Sequence, residues 1–437
     1  MGGVLYTSLF LVLLTLSAIP FNAGAEPIVA KGESLNLEKC IEIALRKHPN
    51  IVAARSTVDI NQSRVGQAEA NYYPRVNWTL DYKRFSSISG GSIASPIISR
   101  KGEDAFDQYS SSIVLSQSIY DFGKTPLQVK IEGLNLDSSL SDLDNVMDQI
   151  IFNVKKAYFG VLQAKGNRDV AAENFRQFQQ HLEQAKGFYE VGIKPKFDVT
   201  KAEVDLSNAK LGLIKAENAL RVAIVNLNNA MGLSDAPEYE IEDNLSFKKY
   251  EISFDEALSR AYKNRPDMKS IRARKGIAEN SVELAKKGYY PTLTGNATYS
   301  WSGEEFPLDH GWDIGVTLSV PIFSGFLTRY QIEESRANLN VLQANEELLR
   351  QNIFLEVQQA YLNLKEAEER IPTAELAIKQ AEENLEIAKG RYVAGAGNPI
   401  EVTDAEVSLS NAKIAYIQVL YDYRIAQASL EKAMGIR

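Results

Sequence analysis

The chain is poor in the side chains that most active sites need. Its 437 residues hold one cysteine, Cys40, and three histidines, His48, His181 and His310. A single thiol excludes an internal disulfide framework and any cysteine-rich metal site. The three histidines are scattered over different elements, and each reads as a helix-end or loop residue rather than a ligand. No Gly-x-Ser-x-Gly elbow occurs, and no glycine-rich phosphate loop follows a strand pattern. Catalysis, a bound metal and a cofactor are therefore all expected to be absent. Long apolar runs are missing as well: after residue 25 nothing approaches 18 consecutive apolar residues, so no helix of the mature chain is expected to cross a bilayer. An excess of basic charge is also lacking, since the net charge is −8, which makes nucleic acid and an anionic lipid surface poor partners.

What is present describes an ordered protein with ample core, at 45% hydrophobic and 24% charged residues. Residues 1–25 carry no charged side chain, hold an apolar run from Leu9 to Leu16, and end Ala23-Gly24-Ala25 before Glu26. That pattern predicts a signal peptide over 1–25. A non-cleaved anchor is the alternative, although the apolar core falls short of the ~20 residues a span takes. Cys40 follows Leu37-Glu38-Lys39, well inside the mature chain, so lipidation is not expected and a buried, unreactive thiol is.

The chain states its plan twice. His48-Pro49-Asn50-Ile51 and Tyr72-Tyr73-Pro74 are answered by Arg265-Pro266-Asp267-Met268 and Tyr289-Tyr290-Pro291 at one offset, 266 − 49 = 217 and 291 − 74 = 217. Later in each copy the offset is 203: Ala157-Tyr158 matches Ala360-Tyr361, Gly192 matches Gly395, and Met231-Gly232 matches Met434-Gly435. The copies differ by one loop, longer in the first. The spacing is too long for a short-period solenoid and reads as a duplicated half-protomer, 26–245 and 246–437.

Each copy opens with a helical segment, roughly 37 to 73 and 253 to 289, closed by Tyr-Tyr-Pro because proline cannot extend a helix. The period then becomes two. Leu293, Gly295, Ala297, Tyr299 and Trp301 alternate with polar neighbours, as do Trp312, Ile314, Val316, Leu318, Val320 and Ile322. The first copy repeats this with Val76, Trp78, Leu80 and Tyr82, then Ile113, Leu115, Gln117 and Ile119. Two β-hairpins are predicted, about 75–120 and 292–323, with polar loops over Ser86 to Asp107 and Ser302 to Gly311. Strands of about ten residues cross a bilayer when tilted. A soluble sandwich is the competing reading; Trp and Tyr near the strand ends favour a membrane girdle.

A helical period follows each hairpin and persists. Leu136, Leu140, Leu143, Met147, Ile150, Val154, Ala157 and Val161 step by four and three, and Ala360 to Tyr392 do the same. A run from about Thr125 to Tyr189 spans roughly 95 Å, longer than a compact domain needs. Turns are predicted at about 190–198 and 393–401, after which the chain returns along a seam where Ala alternates with Leu, as in an antiparallel coiled coil. Pro372 inside the second long seam is expected to kink or loosen it.

Four strands cannot close a barrel, and an open sheet in lipid leaves backbone unpaired, so the chain must oligomerise. The doubled order of helix, hairpin, long helix and return helix, with Tyr-Tyr-Pro before the strand and Tyr-x-x-Gly followed by an acid-Val pair at each turn, resembles the TolC-type outer-membrane efflux duct family over essentially the whole mature chain. The resemblance implies a homotrimer whose twelve strands form an outer-membrane β-barrel continuous with an α-helical barrel in the periplasm. It further implies a periplasmic adaptor and, through it, an inner-membrane pump of an efflux or type I secretion system. A pore-less periplasmic coiled-coil scaffold or adaptor is the alternative, and an enzyme the more distant one.

Glu401 and Asp404, three apart at a helix start, share one face beside the positive helix end. Ordinary helix-start acids would read the same. By resemblance they form a periplasmic constriction ring that attracts cations, and Asp198 with Tyr392 is a contact holding it shut. Gly397 and Phe197 depart from the family pattern, which can place Arg and a small hydroxyl residue there. Lys194 and Lys196 are candidate substitutes, with plain solvation as the alternative. The tip residues Val191, Gly192 and Ile193, with Gly395, Ala396 and Gly397, are candidates for adaptor docking; Gly192 and Gly395 also suit a tight reversal.

Overall fold

Proline decides where the first elements begin and end. The computed structural model describes residues 32–85, 105–234 and 239–437; the signal peptide expected at 1–25 and most of the loop expected at Ser86 to Asp107 lie outside the described residues. A short strand β1 (Ser34–Leu35) precedes helices α1 (Leu37–Lys47) and α2 (Pro49–Glu69). The opening segment is thus two helices rather than the one expected. His48 is held extended by the following Pro49, and its ring caps α2 by accepting the Asn50 N–H. The second copy breaks identically into α5 (Phe254–Asn264) and α6 (Pro266–Lys286) at Arg265.

Strands β2 (Arg75–Phe85) and β3 (Phe106–Tyr120) follow α2, and β5 (Thr292–Gly303) and β6 (Asp309–Ser319) follow α6; β4 (Glu240–Ile241) pairs with β1 between the copies. The second hairpin differs from expectation at both ends. Its connecting loop is shorter, because Ser302, Gly303, Asp309, His310 and Gly311 are strand residues, and β6 stops at Ser319, before Val320 and Ile322. Pro321 has no N–H for the ladder, which accounts for the early stop.

The four long strands form one antiparallel sheet in the order β2-β3-β5-β6. Its register gathers apolar residues on one face in rows that cross all four strands: Val76, Leu115, Ala297 and Ile314, then Trp78, Ile113, Tyr299 and Trp312. The opposite face carries Asn77, Val114, Thr298 and Asp313, then Thr79, Ser112, Ser300 and Gly311. The apolar face is uncovered: Trp78, Ile314 and Trp312 are 71%, 75% and 72% exposed. A soluble sandwich would pack a second layer there. An apolar outer face opposite a polar inner one is the pattern of a transmembrane barrel wall.

From the sheet run α3 (Lys124–Glu190) and α7 (Leu327–Val393), each 67 residues and roughly 100 Å long. Asp121 starts α3 by accepting the N–H groups of Gly123, Lys124 and Thr125. Helix α7 continues without a break through Pro372, whose neighbour Ile371 is buried in the seam. The return helices are α4 (Lys196–Met231) and α8 (Pro399–Ala433). Among the described residues no helix is long and apolar enough to cross a membrane.

The cores sit where a third helix joins each long pair. Cys40, Ile43 and Ala44 of α1 pack with Val154, Tyr158, Leu227 and Met231, and Ala257 and Ala261 of α5 pack with Val357, Leu364, Leu430 and Met434. Each fully buried Leu or Met there contributes about 1.5–3 kcal/mol. Burial raises the Cys40 thiol to about 12, which leaves it unreactive. Gly232, at φ +75°, closes the first copy against α2; a side chain there would meet the His48 backbone at 2.7 Å. Both layers end in open sides. Helix α2 packs on α3, α3 on α6, and α6 on α7, which leaves Val52 and Ile60 of α2 and Val341, Leu348 and Leu355 of α7 exposed.

Candidate functional site at the helix-turn tip

Both tips are built by the same turn chemistry. At the first, Gly192 takes φ +76° and the Ile193 N–H bonds back to the Phe188 carbonyl at 2.9 Å. At the second, Gly395 takes φ +77° and the Ala396 and Gly397 N–H groups share the Arg391 carbonyl. These are left-handed helix ends that favour glycine. Asn398 then caps α8 through the Glu401 N–H at 2.9 Å, with Pro399 in the first turn. Gly397 has its own reason to be glycine: a Cβ there would sit 3.1 Å from the Arg391 Cβ and from the Tyr392 nitrogen. This turn leaves little room for the arginine that the family pattern allows.

Tyr392 is the centre of the tip, 1% exposed on the inner side of α7. Its hydroxyl donates to Asp198 Oδ2 of α4 at 3.4 Å, a long bond between two buried groups. The Lys194 ammonium lies 4.7 Å over its ring, and His181 and Phe188 of α3 flank it with ring centroids 5.5 and 6.0 Å away. Burial, and then the Asp198 charge, push the Tyr392 hydroxyl up to about 12, so it stays a donor. The structure therefore brings Asp198 and Tyr392 together. Of the two candidate substitutes for an arginine, Lys194 sits on that ring rather than beside an acid.

The two acids of the second turn are placed differently from one another. Asp404 is exposed, whereas Glu401 is half-exposed and faces Arg391 Nε at 3.4 Å within its own hairpin. Val191 and Ile193 project from the first tip, 67% and 65% exposed, with Gly192 beside them, and Gly395 and Ala396 are exposed at the second.

Sequence reasoning missed a buried polar layer just behind the tip. Asp205 of α4 accepts from Lys201 at 2.5 Å and from the Thr403 hydroxyl of α8 at 3.0 Å. Glu406, 2% exposed, pairs with Lys389 at 3.1 Å, and its Oε2 has no protein partner among the described residues. Burial raises the Glu406 carboxyl and lowers the His181 imidazole. His181 is no helix-end residue: it lies inside α3 and is 5% exposed, while His310 belongs to β6 rather than a loop. The available signal was position. Asp205 and Glu406 each stand next to a seam residue, Leu206 and Ala405, where a polar side chain is buried as soon as a third helix packs. Among the described residues no group of three or more His, Cys, Asp and Glu is arranged to hold a metal ion.

Uncovered barrel-type strands joined to helices of such length define a class, and comparison with known proteins agrees with it. The model of the family described as outer membrane efflux protein matches residues 40–233 and 257–436. Among curated relatives, the outer membrane protein TolC of Escherichia coli (strain K12) is 23% identical over 422 residues, covering 92% of this chain and 82% of that protein. A probable outer membrane lipoprotein, SilC of Salmonella typhimurium, is 21% identical and covers 95% and 87%. Among solved structures, CusC superimposes with a TM-score of 0.79 at 18% identity over 94% of this chain and 97% of that one. The Campylobacter jejuni CmeC outer membrane channel gives 0.78 at 18% identity over 91% and 85%. The chain belongs to the outer membrane efflux protein family. It is an outer-membrane efflux channel protein of the TolC type, with its helical tube in the periplasm; its relatives are channel and efflux proteins rather than enzymes.

Proposed function

We propose that three copies of this chain close into one conduit, with a twelve-stranded barrel in the outer membrane and a helical tube below it. Each protomer contributes the halves 26–245 and 246–437 to the wall. The observation that carries this is the coincidence of open sides: β2 and β6 are the sheet's edges, and α2 and α7, the helices continuous with them, leave apolar residues uncovered. Pairing β6 of one copy with β2 of the next removes the unpaired backbone that lipid does not tolerate. The same rotation lays α7 of one copy against α2 of the next. A ring closed by one repeated contact is the ordinary solution for a head-to-tail interface.

The conduit serves as the passive exit duct of a tripartite efflux or type I secretion assembly, joined to an inner-membrane pump by a periplasmic adaptor. The exposed tips Val191, Gly192 and Ile193, with Gly395, Ala396 and Gly397, are the docking surface for that adaptor. Glu401 and Asp404 form the constriction, and the Tyr392–Asp198 contact holds it shut. Mass measurement in detergent tests the assembly: a trimer that inserts into planar bilayers and conducts is expected. A water-soluble monomer without conductance would overturn the proposal and leave the scaffold reading.

A further inference from the structure

The two helical hairpins are tied to one another by a ladder of polar contacts along a single seam. From the tip inward these include Tyr392–Asp198 at 3.4 Å, Thr403–Asp205 at 3.0 Å, Lys413–Glu173 at 2.9 Å, Gln163–Gln418, and Glu431–Lys155 at 2.6 Å. The second rung differs from those behind it. Thr403 and Asp205 are 9% and 7% exposed, so their bond is made away from water, whereas Glu173 and Lys413 keep 40% and 24% of their side chains exposed. A cleft of about 540 Å³, lined by Asn174, Phe178, Asp205, Asn208, Thr403 and Ser410 among others, runs alongside the rung.

Each partner of the rung also has a second partner on its own hairpin. The Thr403 hydroxyl lies 3.1 Å from the Pro399 carbonyl of α8, and Asp205 keeps Lys201 of α4 at 2.5 Å. When the seam opens, the hydroxyl proton turns to Pro399 and the carboxylate stays neutralised by Lys201. Neither group is stranded, so the desolvation penalty that ordinarily follows breaking a buried polar contact is avoided.

We propose that Thr403 and Asp205 form a second latch of the periplasmic gate, in parallel with Tyr392–Asp198 and released reversibly because each half retains a partner in its own hairpin. This rests on the gate reading above. Both are positioning residues that act on the aperture through the hairpins rather than by touching what passes.

The test uses the full-length protein in planar bilayers, comparing Tyr392→Phe, Thr403→Val, the double variant and Tyr392→Phe with Thr403→Ser. Val keeps the shape of Thr without its hydroxyl, and Ser restores the donor. The double variant is expected to raise the open fraction roughly three- to tenfold over Tyr392→Phe alone, the range set by net loss of one ordinary hydrogen bond, since the Thr403 hydroxyl has the Pro399 carbonyl to turn to when the seam opens. Ser is expected to return it to the Tyr392→Phe level. Asp205→Asn should act in the same direction as Val, and heat-resistant trimer yield should be unchanged throughout. If Tyr392→Phe opens the channel and Thr403→Val adds nothing, the second latch is wrong and the gate stands. If Thr403→Val opens it while Tyr392→Phe does not, the latch stands and the tip contact falls. If neither changes conductance, both fall.

Discussion

At the scale of single residues, the buried ring of His181 is expected to make the proposed gate sensitive to acid. Burial lowers its imidazole; Asp205 and Asp198 of α4 work against that, while Lys389 of α7 and Lys201 of α4 add to it. In the closed seam the ring is therefore neutral, and parting the hairpins would return it to its ordinary value near 6.5. The open form binds the proton first, so acidification below about 6.5 favours opening. Glu406 has the opposite sign. Its carboxyl is raised by burial despite Lys389, so the closed form takes up that proton first, and acid favours closure through this group. Conductance measured against pH should fall toward acid in His181→Gln, where Glu406 acts alone, and rise toward acid in Glu406→Gln, where His181 acts alone, with the parent protein between the two. Identical profiles for the parent and His181→Gln would remove the ring from the account. The acids at the mouth are unequal for a similarly local reason. Arg391 already faces Glu401, whereas Asp404 is exposed. Glu401→Ala with Asp404→Ala should raise single-channel conductance and weaken block by divalent cations, with Asp404→Ala alone giving the larger share of the lost block. Unchanged conductance and block would count against the ring.

At the scale of elements, what was legible followed directly from period and punctuation. The 4-3 spacing from Leu136 to Val161 located the long helices, since nothing but a continuous helix keeps Ala and Leu on one stripe for so many turns. Alternation located the strands for the same reason. The break at His48 was not legible, because a proline preceded by helix-compatible residues reads equally as an N1 proline or as a loop. The polar layer at Asp205, Thr403 and Glu406 was invisible for a deeper reason: a residue beside the seam is exposed in a two-helix hairpin and buried only when a third helix arrives. The glycines separate the same two kinds of information. Gly232 is dictated by tertiary approach, since its Cβ would meet His48 at 2.7 Å at φ +75°, while Gly66 in α2 has nothing within 4 Å. Gly232→Ala should lower trimer stability by at least ~1–2 kcal/mol from the left-handed backbone alone. Gly66→Ala should be neutral or gain up to ~1 kcal/mol. Thermal dissociation of the purified protein distinguishes them, and equal behaviour would mean that Gly232 does not close the first repeat on α2.

At the scale of the whole molecule, the proposed barrel gives the two faces of the sheet different solvents, and this can be tested without knowing what the channel carries. Ile314 sits on the apolar face in register with Ala297, Leu115 and Val76, and is 75% exposed in the single protomer. In the proposed trimer the edges of β2 and β6 are covered while that face is left to lipid, so Ile314 would remain uncovered by protein. Thr298 sits one residue pair along β5 on the polar face, between Val114 and Asp313. An arginine at Ile314 places a charge in hydrocarbon at a cost of about 2–4 kcal/mol per protomer near the bilayer midplane, less toward the interfaces. Three copies multiply that cost in one assembly. The same arginine at Thr298 stays in water within the lumen and lies beside the Asp313 carboxylate. Ile314→Arg should therefore abolish heat-resistant trimers in the outer membrane, whereas Thr298→Arg should leave trimer yield intact and shift ion selectivity toward anions. Loss of trimers from Thr298→Arg with tolerance of Ile314→Arg would invert the sheet, putting the aromatic face of Trp78, Tyr299 and Trp312 inside. That inversion leaves Thr79, Ser112 and Ser300 facing lipid, where their hydroxyls would have no water to bond.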